Sequence, residues 1–338
     1  MATDASFDYV IVGAGTAGCV LAARLAEDPA SRICLIEAGG SDRHPLVSTP
    51  ALVAAAIASK RLNWRFETVP QANLKGRRVV QPRGKVVGGS GSINGMVYSR
   101  GHPRDYDDWA AAGASDWSYA NVLPYFIRSE NNQDLPVSQY HGRGGPVNVH
   151  RPARPNRLNS DFIAATQSLG FHATPDFTGA DSEGVGFRQG TIRAGLRDST
   201  ARAFLRPALR GGHITLYTQA LALRVLIENG RAVGVAYERD GRRHVVRASR
   251  EVILSAGTLQ TPQLLLLSGI GPAAELKAAG IEPVHDLPGV GRNLHDHLAC
   301  PVLMRSEDPT SYGISARALP RGIINILEYL LLDRKSVV

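Results

Sequence analysis

Apolar positions at the N-terminus fall into blocks of two different periods. Asp8–Val12 is a short run rich in β-branched residues, the pattern of a buried strand. An Ala/Leu-rich stretch with helical spacing follows to about Glu27, and Arg32–Ile36 returns to a short continuous apolar run that ends at Glu37. The pattern predicts strand, helix, strand. Gly13, Gly15 and Gly18 stand between the first strand and the helix at G-x-G-x-x-G spacing, with Thr16 and Ala17 among them. Farther along, Ser118–Ser129 and Ser160–Leu169 read as helices, the second stopping before Gly170, and Asn131–Asn156 between them carries little periodic signal. Beyond Ile214 the period changes to two. Val225–Glu228 and Ala232–Tyr237 flank Asn229–Gly230, and Asp240–Gly241 leads to His244–Ala248. Asn-Gly and Asp-Gly supply the positive φ angles of tight hairpins, so a three-stranded antiparallel meander is expected. Arg250–Ser255 is expected as a separate strand, followed by a helix from near Thr258 that holds Pro262 in its first turn and stops at Gly269.

The strand–glycine turn–helix unit carries chemistry. One glycine makes the tight turn, one lets the backbone approach a pyrophosphate, and one allows close packing of helix on strand. The helix N-terminus offers free N–H groups and a positive dipole end to phosphates. Glu37 falls ~20 residues after the glycines, where a carboxylate accepts from ribose hydroxyls, and Ala38 follows it. An adenine dinucleotide with a free 2′-hydroxyl is the expected ligand, since a 2′-phosphate would be repelled by Glu37. NAD and FAD share that half and stay open at this point. Simple NAD dehydrogenases build their sheet from consecutive βαβ units, whereas a meander inserted late is the organisation of two-domain flavoproteins.

Composition narrows the classes. A chain of 338 residues buries a large core, and its 35 glycines exceed the usual share of about 7%, which suits an α/β fold rich in turns. The net charge of +8 is spread over single basic residues and pairs such as Arg77–Arg78 and Arg242–Arg243, which argues for a solvated surface and against a nucleic-acid groove. Cys19, Cys34 and Cys300 are too dispersed for a disulfide framework or a zinc site, and a reducing, cytoplasmic setting is expected. No targeting segment is visible, and the apolar run Ile323–Leu332 holds Asn325 and Glu328 and is too short to span a bilayer, which leaves room only for peripheral membrane contact.

Two long motifs then carry a family resemblance. Arg83-Gly-Lys-Val-Val-Gly-Gly-Ser-Gly-Ser-Ile-Asn94-Gly-Met-Val-Tyr-Ser-Arg-Gly101 resembles the first signature of the glucose–methanol–choline (GMC) oxidoreductases, and Gly257-Thr-Leu-Gln-Thr-Pro-Gln-Leu-Leu-Leu-Leu-Ser-Gly-Ile-Gly271 resembles their second. Leu62–Trp64, Gly101–Trp109, Arg197–Leu205 and Pro288–His297 extend the similarity over nearly the whole chain, nearest to the choline dehydrogenase-like, alcohol dehydrogenase branch. The resemblance implies FAD, and oxidation of an alcohol CH–OH by hydride transfer to the flavin, with oxygen, a quinone or another acceptor taking the electrons. It implies that Trp64, Gly84, Lys85 and Val87 line the FAD, as do Ser90, Gly91, Ser92, Ile93, Asn94 and Gly95. Ala222, expected just before the meander, would meet the adenine through its backbone. Some members carry a flavin-linked histidine at the position of Ile93. Isoleucine has no nucleophilic atom, so the FAD is expected to be non-covalent. A hydroxynitrile lyase using FAD without net redox, and a non-catalytic FAD-binding fragment, are the alternative activities.

Other readings of the polar residues are weaker. Gly88-Gly-Ser-Gly-Ser92 departs from the nucleophile elbow G-x-S-x-G at its fifth position. His295-Asp-His297 lacks a third metal-ligand group at recognisable spacing, so no metal is expected, and the resemblance implies that Asn293–His297 is a flavin-side structural turn. Family members continue well past the length of this chain, and the ending Leu331–Val338 resembles a truncation. The catalytic His is therefore expected beyond residue 338, and His102, His141, His295 and His297 are read as structural or surface residues. The expected fold is an α/β two-domain flavoprotein. Its discontinuous Rossmann-like FAD-binding domain takes 1–155 and 200–300, with a flavin-covering excursion over 39–130. Part of an antiparallel-sheet substrate domain takes 156–199 and 301–338.

Overall fold

The computed structural model describes residues 5–152, 155–297 and Val302. Cys300, the run Ile323–Leu332 and nearly all of the expected 301–338 segment lie outside them. The described residues form two compact units. One takes 5–47, 54–94 and 199–297, and the other 48–53, 95–152, 155–198 and Val302.

The first unit is built on a six-stranded sheet. Its strands are β1 (Ser6–Val12), β2 (Ile33–Ile36), β3 (Ile214–Tyr217), β4 (Ala220–Glu228), β5 (Arg231–Arg239) and β6 (Arg242–Leu254), in the order β4-β5-β6-β1-β2-β3. β1 runs parallel to both β2 and β6, and β3 runs parallel to β2. β4, β5 and β6 form the antiparallel meander. Alternation along the strands divides the core. Val10, Val12, Cys34 and Ile36 pack on one face with Val235 and Val246, and Ile11, Ile33 and Leu35 pack on the other with Cys19 and Ala22 of helix α1 (Thr16–Leu25). Cover on both faces explains why β1 and β2 read as unbroken apolar runs.

Three expectations need correction here. The meander begins at Ala220, because Ala220–Ala222 pair with Tyr237–Arg239, so Ala222 lies inside its first strand and not before it. Arg250–Ser255 is not a separate strand. No turn breaks the chain after Ala248, and β6 changes partner from β5 to β1 near Arg247, with a register irregularity opposite Phe7–Tyr9. Helix α2 (Gly257–Leu267) starts one residue earlier than Thr258 and holds Pro262 within it, beyond the first turn. The proline has no N–H to give the Thr258 carbonyl.

The second unit has a different texture. Its helices Tyr119–Ser129 and Arg157–Ser168 are capped by Ser118 and Asn156, whose side chains accept from Asn121 N and Leu158 N, and Gly170 follows at φ +90°. Two short strands, Glu130–Asn132 at the start of the low-signal stretch and Val147–Val149 within it, pair in parallel. Tyr98 N donates to Gln189 O and Thr191 N to Met96 O, both at 2.9 Å, which ties the chain after Asn94 to this unit and divides the 39–130 excursion there. Among the described residues no helix is long and apolar enough to cross a membrane.

Candidate functional site

The site grows from the turn between β1 and α1. Gly13 has φ +97°, and a Cβ there would sit 2.6 Å from Ser255 O. A Cβ on Gly18 would overlap Gly13 O, so the first turn of α1 rests directly on the glycine turn. Ser255 Oγ completes the turn by donating to Val12 O at 3.0 Å and Gly13 O at 2.8 Å. Gly15 is different. A Cβ there would find no atom closer than 3.8 Å, and the residue lines an open cavity. Backbone access toward that space is what a phosphate-bearing ligand requires.

The second glycine cluster packs onto the first. Gly89, at φ +56°, lies so close that its Cβ would stand 2.8 Å from Gly15 Cα, and Gly88 N donates to Ala14 O at 2.7 Å. Gly84 N donates to Ser90 Oγ at 3.1 Å. Glu37 closes the turn from the opposite side. Its carboxylate accepts from Ala14 N at 3.0 Å and from Gly39 N at 2.7 Å. Burial pushes its carboxyl up to about 7, against the pull of those two donors and of Lys85. Those two bonds occupy two of the four lone-pair sites of the ionised carboxylate.

These parts surround a cavity of about 800 Å³ at the carboxyl ends of β1, β2 and β6, within the range of small-molecule and cofactor sites. Gly13, Gly15, Thr16 and Ala17 line it, together with Glu37 and Ala38. Trp64, Gly84, Ser90 and Ala222 line it as well. Trp64 stacks on Phe66 with ring centroids 5.7 Å apart, and Lys85 Nζ stands 4.5 Å from the centre of the Trp64 ring.

The remaining expected residues are not among those that line the cavity. Gly18 supports the turn, and a Cβ on Gly91 would press on Thr16 Oγ1 at 2.8 Å. Val87 and Ser92 are buried, and Ser92 Oγ donates to Val87 O at 2.8 Å. Ile93 is buried in a cluster with Val47, Ala56, Leu62 and Val86. Asn94 is exposed, its N–H donating to Ser90 O at 2.9 Å, and Gly95 opens the second unit.

Sequence reasoning missed a whole wall. Phe66, Arg83, Leu221, Leu223, the run Leu254–Thr261 and Gln263 also line the cavity. The signal was present, because β6, Gly257 and α2 repeat the strand–glycine–helix pattern of β1, Gly13 and α1. Among the described residues no histidine lines the cavity. His102 caps the helix Pro103–Ala111, and His295 and His297 are exposed after Asn293, which has φ +56°. Among the described residues no group of three or more His, Cys, Asp or Glu is placed to hold a metal ion. Burial pushes the Cys19 and Cys34 thiols up to about 12, which leaves both inert.

Comparison with known proteins agrees with this geometry. The family model described as GMC oxidoreductase matches residues 7–299. An alcohol dehydrogenase (acceptor) of Pseudomonas putida is 45% identical over 96% of this chain and 59% of its own length. An oxygen-dependent choline dehydrogenase of Rhizobium etli is 48% identical over 90% of this chain and 55% of its own length. An FAD-dependent oxidoreductase from Chaetomium thermophilum superposes with a TM-score of 0.85 at 30% identity, over 96% of this chain and 58% of that one. The chain thus spans a little over half the length of these relatives.

Proposed function

The chain belongs to the GMC oxidoreductase family, and on that premise we propose that it is the FAD-binding part of an enzyme oxidising a primary or choline-like alcohol. The observation that carries the reading is the contact of the two glycine clusters, Gly89 on Gly15, beside a cavity into which Gly15 opens. The family implies FAD, and the residues present fit its ADP half. Gly13–Ala17 and the start of α1 would take the pyrophosphate, Glu37 the adenosine ribose, and the Ala222 backbone the adenine. Gly84, Ser90 and Trp64 would stand along the same wall. Bound FAD supplies a two-electron hydride acceptor. The chain's own contribution is to bind and orient it and to keep Glu37 aimed at the ribose through Ala14 N and Gly39 N.

We place the base that removes the alcohol proton in the part of the relatives that this chain does not cover, since this chain spans a little over half their length and, among the described residues, no histidine lines the cavity. The cofactor is held without a covalent bond at Ile93, whose side chain is buried and unreactive.

The test is a pair of measurements on the purified chain. FAD should bind with its visible absorbance and be released into the supernatant by acid. Turnover of choline or a primary alcohol should be negligible until the remaining length of the relatives is supplied, when anaerobic alcohol should bleach the flavin. Tight NAD binding without flavin affinity would sink the cofactor assignment. Full turnover from residues 1–338 would overturn the placement of the base.

A further inference from the structure

The second unit carries a buried polar cluster that the cofactor reading does not use. His141 is 3% exposed and lies between two carboxylates. Its Nδ1 is 3.3 Å from both oxygens of Glu130, and its Nε2 is 2.8 Å from Asp176 Oδ2. Glu130, wholly buried, also accepts from Arg100 Nη2 at 3.1 Å, Gly142 N at 2.9 Å and Asn132 Nδ2 at 2.9 Å. Asp176 Oδ1 accepts from Thr178 N at 2.9 Å and Thr178 Oγ1 at 3.2 Å.

Those donors keep both carboxylates ionised, and an ionised carboxylate only accepts. Both ring nitrogens of His141 therefore donate, and only the imidazolium has two N–H groups. Charge counting agrees. With an imidazolium, Arg100, His141, Glu130 and Asp176 sum to zero, whereas a neutral ring leaves an uncompensated negative charge in the interior. The hydrogen bond to Glu130 holds the His141 ring above its ordinary value in spite of burial. Against the upward pull of burial, the bonds from His141 keep both the Glu130 and Asp176 carboxyls below theirs.

We infer that His141 is a buried imidazolium latch tying the 172–186 loop to the strand Glu130–Asn132, and that alkaline pH releases the loop. The loop is closed at its base by Thr174 N to Val185 O at 2.9 Å and Val185 N to His172 O at 3.0 Å. Its tip curls around the Asp176 carboxylate so tightly that a Cβ on Gly179 would overlap it. Other groups facing the cluster are Arg100, which also donates to Thr178 O at 3.4 Å, the phenol of Tyr98 at 3.4 Å from Arg100, and Arg151, which donates to Pro175 O. Burial holds the Tyr98 phenol above its ordinary value. The exposed pair His172–Asp181, 3.7 Å apart, is a second histidine–carboxylate contact within the loop. A ring held above its ordinary value stabilises the closed loop fully below that ordinary value, about 6.5, and the stabilisation is lost as pH rises through the folded value.

Hydrogen exchange of the 172–186 amides, corrected for intrinsic rates, tests the latch between about pH 6 and about pH 9. Wild-type protection should fall on the order of tenfold or more from the acid to the alkaline end of that range. In His141→Gln, whose side chain does not titrate, the pH dependence should vanish although the His172–Asp181 pair is kept. Asp176→Asn is the second variant and should lower the pH at which protection is lost. Ring NMR of labelled histidine in the wild type gives a readout that needs no variant to fold. A His141 ring titrating at or below the ordinary value, or protection flat across the range, overturns the inference.

Discussion

Around β1 and β2 the interior is apolar on both faces of the sheet, with Val10, Ile11, Ile33, Cys34 and Leu35 wholly buried, whereas around the strand Glu130–Asn132 two polar residues, Glu130 and Asn132, are wholly buried instead. The two interiors make different demands. An apolar core gains from any well-shaped hydrophobic neighbour, and a lost methylene costs in proportion to the void it leaves. A buried ion network gains little over an apolar replacement, yet leaves an uncompensated charge when one partner goes. The first unit is therefore expected to degrade gradually under substitution, and the second abruptly.

Glu130→Ala is the strongest way to break that contrast. It strands the charges of Arg100 and His141 without their shared carboxylate, and a loss of about 3–5 kcal/mol is expected. Ile11→Ala in the apolar core should cost about 2–5 kcal/mol, while the milder Ile11→Val should cost only about 0.5–1.5 kcal/mol. No mild substitution exists at Glu130, since even Gln turns one accepting oxygen into a donor facing donors. Chemical denaturation of all three variants checks this, and a loss below that of Ile11→Val for Glu130→Ala would show that the network carries no weight.

The same difference explains what the sequence revealed. Apolar alternation is local, so β1, α1, β2 and the hairpins at Asn229–Gly230 and Asp240–Gly241 were legible from neighbouring residues. The glycines were legible too, because Gly13, Gly18 and Gly89 answer close contacts with backbone while Gly15 leaves the cavity open. The strands of the second unit were not, since Glu130–Asn132 and Val147–Val149 are three residues long, too short to show a period. Nor was its cluster, because Arg100, Glu130, His141 and Asp176 meet across a wide span of chain and each alone looks like a surface residue. Within the site, Ile93 and Ser92 were expected at the cofactor from their motif, but the motif preserves the packing behind the wall as well as the wall itself.

Two glycines in the first unit sharpen the comparison, because both stand in one turn and face opposite ways. Gly18→Ala drives a methyl into Gly13 O and should destabilise the fold by about 1–3 kcal/mol, despite the better helix propensity of alanine. Gly15→Ala meets nothing closer than 3.8 Å, so its melting curve should match the wild type while FAD affinity drops. Thermal melts beside flavin titrations separate the two, and an undiminished affinity in Gly15→Ala would place the phosphates elsewhere.

Glu37 is a buried acid of the first unit that invites comparison with those of the second. Losing a charged acceptor costs about 1.5–3 kcal/mol, so Glu37→Ala should weaken FAD binding roughly ten- to a hundredfold. Because the carboxyl is pushed up to about 7 in the folded chain, the folded state holds its proton over a range where the unfolded chain has released it. Stability of the FAD-free protein should therefore fall as pH rises from about 4.5 to about 7. Glu37→Gln should remove that slope. A wild type whose stability climbs over this range would mean that Ala14 N and Gly39 N outweigh burial.

Ser90→Ala should have the smallest effect. Ser90 Oγ accepts from Gly84 N at 3.1 Å, a single hydrogen bond worth about 0.5–1.5 kcal/mol at an exposed residue whose vacated donor water can satisfy. The second glycine cluster has firmer support in backbone contacts, Gly88 N on Ala14 O and Gly89 against Gly15 Cα, which the substitution leaves in place. If those contacts set the position of the cluster, Ser90→Ala should shift the melting point by only a few degrees and FAD affinity by less than about tenfold. A collapse comparable to that of Glu130→Ala would mean that a polar side chain anchors the first unit as well, and the division between the two interiors would fail at the cofactor wall.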